Sequence, residues 1–98
     1  MEAAAHAGRQ TARVETLKQS VEDHIRQTLA RHVSAAKPRD YFMSTAWSVR
    51  DRLSEYWAAT QDAYRREGTK RVYYLSLEFL MGRMLGNALL NLGLDDAM

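Results

Sequence analysis

The sequence predicts an α/β fold in which two long helices precede one β-strand and a further helix. Apolar residues recur every three or four positions over roughly residues 15–33 and again over 39–67, which is the period of a helix with one buried face. Residues 72–77 are the only run with the character of a buried strand, and a new helical pattern follows them. A lone strand is unstable in water, so we expect its partner strands to lie outside these 98 residues.

Composition excludes several classes of protein. The 14 basic and 12 acidic residues give a net charge of only +2, dispersed along the chain, which argues against a nucleic-acid partner. There is no cysteine for a disulfide or a thiol metal site, and no run approaches the ~20 apolar residues of a membrane span. Residues 1–12 predict a disordered tail and not a signal peptide, so we expect a domain that starts at residue 13 and a cytoplasmic location.

The first predicted helix runs from about Glu15 to Val33. Proline disfavours helical geometry in the residue before it, so Ala35-Ala36-Lys37-Pro38 should end this element. Its apolar face consists of Val14, Leu17, Val21, Ile25, Leu29 and Val33.

The second predicted helix covers residues 39–67 without an internal glycine or proline, and at ~1.5 Å per residue it would be about 40 Å long. Its last turn is basic, and Gly68 suits a helix C-terminus. Aromatic residues also lie off the main stripe, so we expect this helix to pack on more than one neighbour. The stripe itself consists of Phe42, Ala46, Val49, Leu53, Trp57, Thr60 and Tyr64.

The strand and the third helix follow. Val72 to Leu77 carries apolar residues at both alternating sets of positions, as in a strand that is covered on both sides. The third helix begins near Met84 and should stop at Gly93, after which Asp95 suits the cap of another helix.

The block Tyr73–Arg83, with Asn87 and Asn91-Leu92 behind it, resembles the N-terminal signature of the glycogen/starch α-1,4-glucan phosphorylases. Upstream sub-motifs agree at matching spacing, so the resemblance covers about residues 14–98. It identifies the chain as an N-terminal fragment of a bacterial-type member. The matching sub-motifs are Pro38-Arg39-Asp40-Tyr41, Val49-Arg50-Asp51, Trp57, Thr60-Gln61 and Lys70-Arg71.

The resemblance implies a two-domain Rossmann-like glycosyltransferase fold of the GT-B type. Such enzymes use inorganic phosphate to remove the terminal α-1,4-linked glucose of a glucan as glucose 1-phosphate. They depend on pyridoxal phosphate, whose own phosphate group acts in proton transfer, and they are usually homodimers. The family's cofactor lysine lies far downstream, so we expect no cofactor-binding residue in this chain and no activity from the fragment alone.

Glu78 is the candidate catalytic residue. It follows the predicted strand, and α/β proteins place ligands at the carboxyl ends of parallel strands. The resemblance places the matching glutamate near the catalytic cleft, whereas a structural carboxylate that pairs with Arg83 or with a helix N-terminus is the competing interpretation. Animal members carry a tyrosine where this chain has Leu80, so a cofactor contact from that position is not expected.

Trp57 and Gln61 match two residues of the nucleotide activator site of animal phosphorylases. Three neighbours depart from that pattern: Ala59 replaces an arginine, Asp62 a glutamine, and Arg65 a tyrosine that stacks on adenine. Without that tyrosine ring, the binding free energy of a nucleotide would lose about 1 kcal/mol of aromatic stacking. We therefore interpret Trp57 and Gln61 as a remnant of an allosteric site, with Trp57 packed in a core or interface.

The remaining polar residues carry no recognisable site. His24 and His32 lie eight residues apart without convergent acids, and a metal site needs three or four ligands, so they are interpreted as ordinary helix residues. Arg50-Asp51-Arg52 is interpreted as a solvated edge. A second hypothesis stays open, in which the chain is an autonomous helical dimerisation module without catalysis.

Overall fold

A computed structural model describes residues 2–78 and 81–97. Within these residues, three α-helices follow one another: α1 (Glu2–Asp23), α2 (Pro38–Glu67) and α3 (Met84–Asn91). A π-helical turn (His24–Thr28) extends α1, and 3-10 turns lie at Val33–Ala35 and Asp95–Ala97. No helix in these two described stretches is long and apolar enough to cross a membrane.

The first helix begins earlier and ends earlier than its apolar period predicts. Residues 2–12, predicted as a disordered tail, continue the helix in the structure, while the domain boundary at residue 13 stays a prediction. The helix ends after the π-helical turn, where Ala30 has a φ of 53° and the Arg31 N–H bonds to the Ile25 carbonyl at 3.0 Å. A left-handed residue cannot continue a right-handed helix, so Leu29 and Val33 leave the predicted helical face.

The α1–α2 contact contains most of the buried side chains. Leu17 and Ile25 are buried on the side of α1, and Val49 is buried on α2. Beside Val49, α2 contributes small polar residues, since Ser44 and Ser48 are also fully buried. Small side chains let two helices approach closely, so the contact face of α2 differs from the larger apolar stripe that the period predicted.

The second helix agrees closely with its prediction. Pro38 occupies the first turn, and the Asp40 carboxylate accepts a hydrogen bond from the Lys37 N–H at 2.9 Å. Gly68 ends the helix with a φ of 59°, and its N–H bonds to the Tyr64 carbonyl. Thirty residues make the helix ~45 Å long, nearly the 48 Å length of the molecule.

The predicted strand is wrong, and with it the α/β class. Residues 2–78 and 81–97 contain helices and connecting segments but no strand or sheet, so the Rossmann-like GT-B architecture is not observed. Val72, Leu75 and Leu77 are 94%, 92% and 104% exposed. A strand exists only when a neighbour completes its ladder of hydrogen bonds, and no second segment of this chain has strand character.

The end of the described chain folds back onto the first two helices. The third helix confirms the prediction of a short helix stopped by Gly93, whose φ is 66°. Leu94 is 4% exposed, and the turn Asp95–Ala97 packs on α1. The helix expected after Asp95 is a single 3-10 turn in this region.

The molecule is extended for its size. Its radius of gyration is 17.0 Å, whereas a compact domain of about 100 residues has ~13 Å. The second half of α2 contributes to this large radius of gyration, because its side chains from Leu53 to Thr60 are all exposed.

The buried serines of α2 allow a matched test of the helix contact. The Ser48 hydroxyl accepts from Ser20 at 3.0 Å and donates to the Ser44 carbonyl at 2.9 Å, whereas the Ser44 hydroxyl has no partner among the described residues. Ser48→Ala should lower the free energy of unfolding by about 1–2 kcal/mol, while Ser44→Ala should leave it unchanged or raise it by up to ~1 kcal/mol. Urea unfolding followed by circular dichroism measures both, and an equal loss in the two variants would contradict this account of the contact.

Candidate functional site

A histidine–aspartate pair joins α1 to α2 at the point where the π-helical turn begins. His24 Nε2 lies 2.6 Å from Asp51 Oδ2, and His24 Nδ1 lies 2.7 Å from the Thr28 hydroxyl. A carboxylate can only accept, so Nε2 carries the proton of this short hydrogen bond. The imidazole is therefore fixed at both nitrogens, with its side chain 16% exposed and that of Asp51 47% exposed.

Trp47 supports this histidine from α2. The two rings stack with centroids 6.2 Å apart and an interplanar angle of 22°. The Arg50 guanidinium lies 5.3 Å from the centre of the Trp47 ring, within the range of a cation–π contact. The result is a layered cluster. Its guanidinium and indole come from α2, and its imidazole comes from the π-helical turn that extends α1.

A polar cavity of about 390 Å³ opens beside the His24–Asp51 pair. Its other lining residues come from α1 and the π-helical turn: Thr16, Gln19, Ser20, Asp23, Gln27 and Thr28. Such a lining can bind a small polar molecule through hydrogen bonds. No group of three His, Cys, Asp or Glu side chains in the described parts of the chain has the geometry to hold a metal ion.

Sequence reasoning missed this cluster. The sequence predicts an ordinary helix residue at His24 and a solvated edge at Asp51, yet the structure brings the two side chains into contact. Neither residue is distinctive in its own segment. The signal lies in the register of the two helices, because Ile25 and Val49 are both buried and each is next or nearly next to a member of the pair. Only a known pairing of the two helices would have revealed it.

Glu78 lies in the non-helical segment between α2 and α3. Its side chain is exposed, and its backbone N–H donates a hydrogen bond to the Ser76 hydroxyl at 3.0 Å. No ion pair joins it to Arg83 within 4.0 Å in the described segments. The competing ion-pair interpretation is therefore not observed, while the catalytic interpretation stays a prediction. Leu80 lies outside the described residues.

Trp57 and Gln61 lie one turn apart on the second half of α2. Trp57 is 70% exposed, and Gln61 is half-buried. Nearby, Asp62 pairs with Arg66 at 3.2 Å, so the acid that departs from the animal activator site is engaged within its own helix. The role of Trp57 and Gln61 stays a prediction, and their position leaves both available to a neighbouring surface.

The described residues do not fit the anchoring of pyridoxal phosphate. The chain has three lysines, Lys18, Lys37 and Lys70, and all three side chains are exposed. A lysine that forms a Schiff base is often activated by desolvation, and exposure leaves these three solvated. That no residue of this chain holds the cofactor stays a prediction.

Known proteins resemble the chain over most of its length. Glycogen phosphorylase, liver form, from Bos taurus is 49% identical over 84 residues, which are 86% of this chain and 10% of that protein. The chain is related to the glycogen phosphorylases. The brain form from Homo sapiens and the muscle form from Mus musculus are 46% and 45% identical over the same lengths. The resemblance inferred from the Tyr73–Arg83 block is thereby confirmed.

The chain spans about a tenth of the length of these glycogen phosphorylases. No family model matches it.

The link between His24 and Asp51 should be measurable as a coupling. A double-mutant cycle with His24→Ala and Asp51→Ala should give about 1 kcal/mol of coupling in the free energy of unfolding, a modest value because Asp51 is half exposed and screened by water. Urea unfolding of the four proteins measures it.

The Asp62–Arg66 pair provides the control cycle. Its side chains are 53% and 73% exposed, so its coupling should not exceed ~0.5 kcal/mol. Equal couplings in the two cycles would show that the histidine pair contributes no more than a surface ion pair.

Proposed function

We propose that this chain is part of an α-1,4-glucan phosphorylase. The reaction removes the terminal α-1,4-linked glucose of glycogen, starch or maltodextrin with inorganic phosphate and releases glucose 1-phosphate. The observation that carries the proposal is the identity of 45–49% to glycogen phosphorylases over 86% of the chain. Similarity of this extent between protein chains is rarely compatible with an unrelated activity when the matching block includes the family's sequence motif.

The surface of the chain supports a role within a larger body. Large apolar side chains from Val72 to Leu77 are between 77% and 104% exposed. A monomeric soluble protein rarely exposes a contiguous apolar patch of this kind, because burying it against protein is favourable by about 25 cal/mol per Å². In the proposal, other parts of a phosphorylase cover this segment.

The cofactor and partners of the proposed enzyme are those of its relatives' family. Pyridoxal phosphate would supply a phosphate group for proton transfer, and residues other than the three exposed lysines would hold it. Glu78 is proposed to lie near the catalytic cleft. The proposed assembly is a homodimer, with glucan and inorganic phosphate as substrates.

A chimera tests this function. Residues 14–98 would replace the matching segment of the bovine liver glycogen phosphorylase, and the chimera should retain phosphorolysis of glycogen. Glu78→Gln in the chimera should lower kcat/KM by about tenfold or more, because a carboxylate near the reacting groups contributes electrostatically or as a proton carrier. Production of glucose 1-phosphate measures the activity.

Two controls accompany the chimera. Glu55→Gln removes the same charge from an exposed position on α2 and should leave kcat/KM unchanged. Residues 1–98 alone, supplied with pyridoxal phosphate, glycogen and phosphate, should release no glucose 1-phosphate. An inactive chimera that folds and binds cofactor would refute the proposed function, and turnover by the 98 residues alone would refute the assignment of catalysis to other parts.

An autonomous helical dimerisation module is the second candidate. The observation that favours it is the second half of α2, where Leu53, Tyr56, Trp57 and Tyr64 are between 43% and 70% exposed on one long helix. Aromatic residues are enriched at the cores of protein interfaces, so this half of the helix could pair with a second copy.

Analytical ultracentrifugation and thermal melting of the 98-residue chain separate the two candidates. The phosphorylase proposal predicts a chain without a defined dimer, which melts broadly because its apolar segment and half of α2 have no cover. Trp57→Ala should then leave the sedimentation unchanged. A sharply melting dimer that Trp57→Ala dissociates would favour the module.

A further inference from the structure

Two arginines line one small cavity away from the His24–Asp51 pair and from Glu78. The cavity has a volume of about 260 Å³ and lies where α1, α2 and the chain after α3 meet. Arg13 enters it from α1 and Arg52 from α2, and Tyr56 stands one turn beyond Arg52. Neither arginine belongs to a site that the sequence predicts.

The cavity carries positive charge without compensation. Its lining includes no acidic residue, and neither Arg13 nor Arg52 has a carboxylate within 4.0 Å in the described parts of the chain. Three other arginines, Arg26, Arg31 and Arg66, each pair with an acid. Two like charges that share a cavity repel each other, and a bound anion removes that repulsion.

The rest of the lining is suited to an organic group. Leu94 is buried, Leu92 is half-buried, and the ring of Tyr56 borders the same space. The turn that carries the leucines is fixed by hydrogen bonds from the Leu92 N–H to Ala88 and from the Leu94 N–H to Leu89. The lining therefore combines a cationic side with an apolar side that is part of the folded structure.

Arg13 is placed against that same turn. A Cβ atom added to Gly93 would lie 3.9 Å from Arg13 Nη1, so the guanidinium is in contact distance of the turn. Thr16 also lines the cavity, but its hydroxyl donates to the Ala12 carbonyl at 2.8 Å and is not free to donate to a ligand. The donors that remain for an anion are the two guanidinium groups and the Tyr56 hydroxyl.

We propose that this cavity binds a phosphomonoester of a small organic molecule. Two guanidinium groups match the double negative charge and the several acceptor oxygens of a phosphoryl group, whereas a carboxylate requires only one such fork. The organic part lies against the Tyr56 ring and the leucines. The site goes beyond the proposed function, since it uses neither Glu78 nor any residue assigned to catalysis.

Isothermal titration calorimetry with phenyl phosphate tests the site, because that probe joins a phosphoryl group to a ring. Phenyl phosphate should bind the chain at low ionic strength, inorganic phosphate should bind several-fold more weakly, and phenol should not bind. Absence of phenyl phosphate binding overturns the proposal. Equal binding of phenyl phosphate and inorganic phosphate overturns the assignment of the apolar lining.

Substitutions locate the binding. Arg13→Gln and Arg52→Gln should each weaken phenyl phosphate by about tenfold, as expected for the loss of a charge-assisted hydrogen bond. Arg52→Lys keeps the charge without the fork and should weaken it by an intermediate factor. Circular dichroism of each variant confirms that its helix content is retained.

Arg65→Gln is the matched control. Arg65 is exposed on the last turn of the same helix as Arg52, and its substitution makes the same change of charge and shape. It should change the affinity by less than about twofold, since only general attraction is lost. An equal loss with Arg65→Gln and Arg52→Gln would overturn the site in favour of non-specific attraction.

Discussion

The close packing of α1 on the first half of α2 is the constraint on which the other features depend. Fully buried Ser44 and Ser48 let the helices approach, and Ile25 fills the space beside them. This contact sets the register of the two helices. The register in turn brings His24 to Asp51 and places Arg13 and Arg52 around one cavity. A contact made by large apolar residues would separate the helices and lose both arrangements.

The helices could be predicted from the sequence because their signals are local. Proline at the start, Gly68 at the end and an uninterrupted period between them determine α2 without reference to anything else in the fold. The non-strand conformation of residues 72–77 could not be predicted in this way. Their apolar composition describes what a strand would need around it, and whether a strand forms depends on partners that the local pattern does not contain.

The candidate sites also divide into those with a local sequence signal and those that depend on tertiary packing. Glu78, Trp57 and Gln61 came from a motif, and the relation to glycogen phosphorylases now supports the motif while their roles stay proposals. The His24–Asp51 pair and the arginine cavity came from tertiary register. Histidine and arginine are common on exposed helix faces, so no single-segment pattern distinguishes those that converge from those that do not.

The unequal cover along α2 has a consequence for how the chain opens. Residues 44–49 are buried or half-buried against neighbouring elements. The turns from Leu53 onward are mostly exposed, so their own helical hydrogen bonds supply most of their stability. Local unfolding proceeds most easily where few buried contacts must be broken. Fraying should thus start at the far end of this helix and halt near Val49, so that one continuous helix behaves as two thermodynamic units.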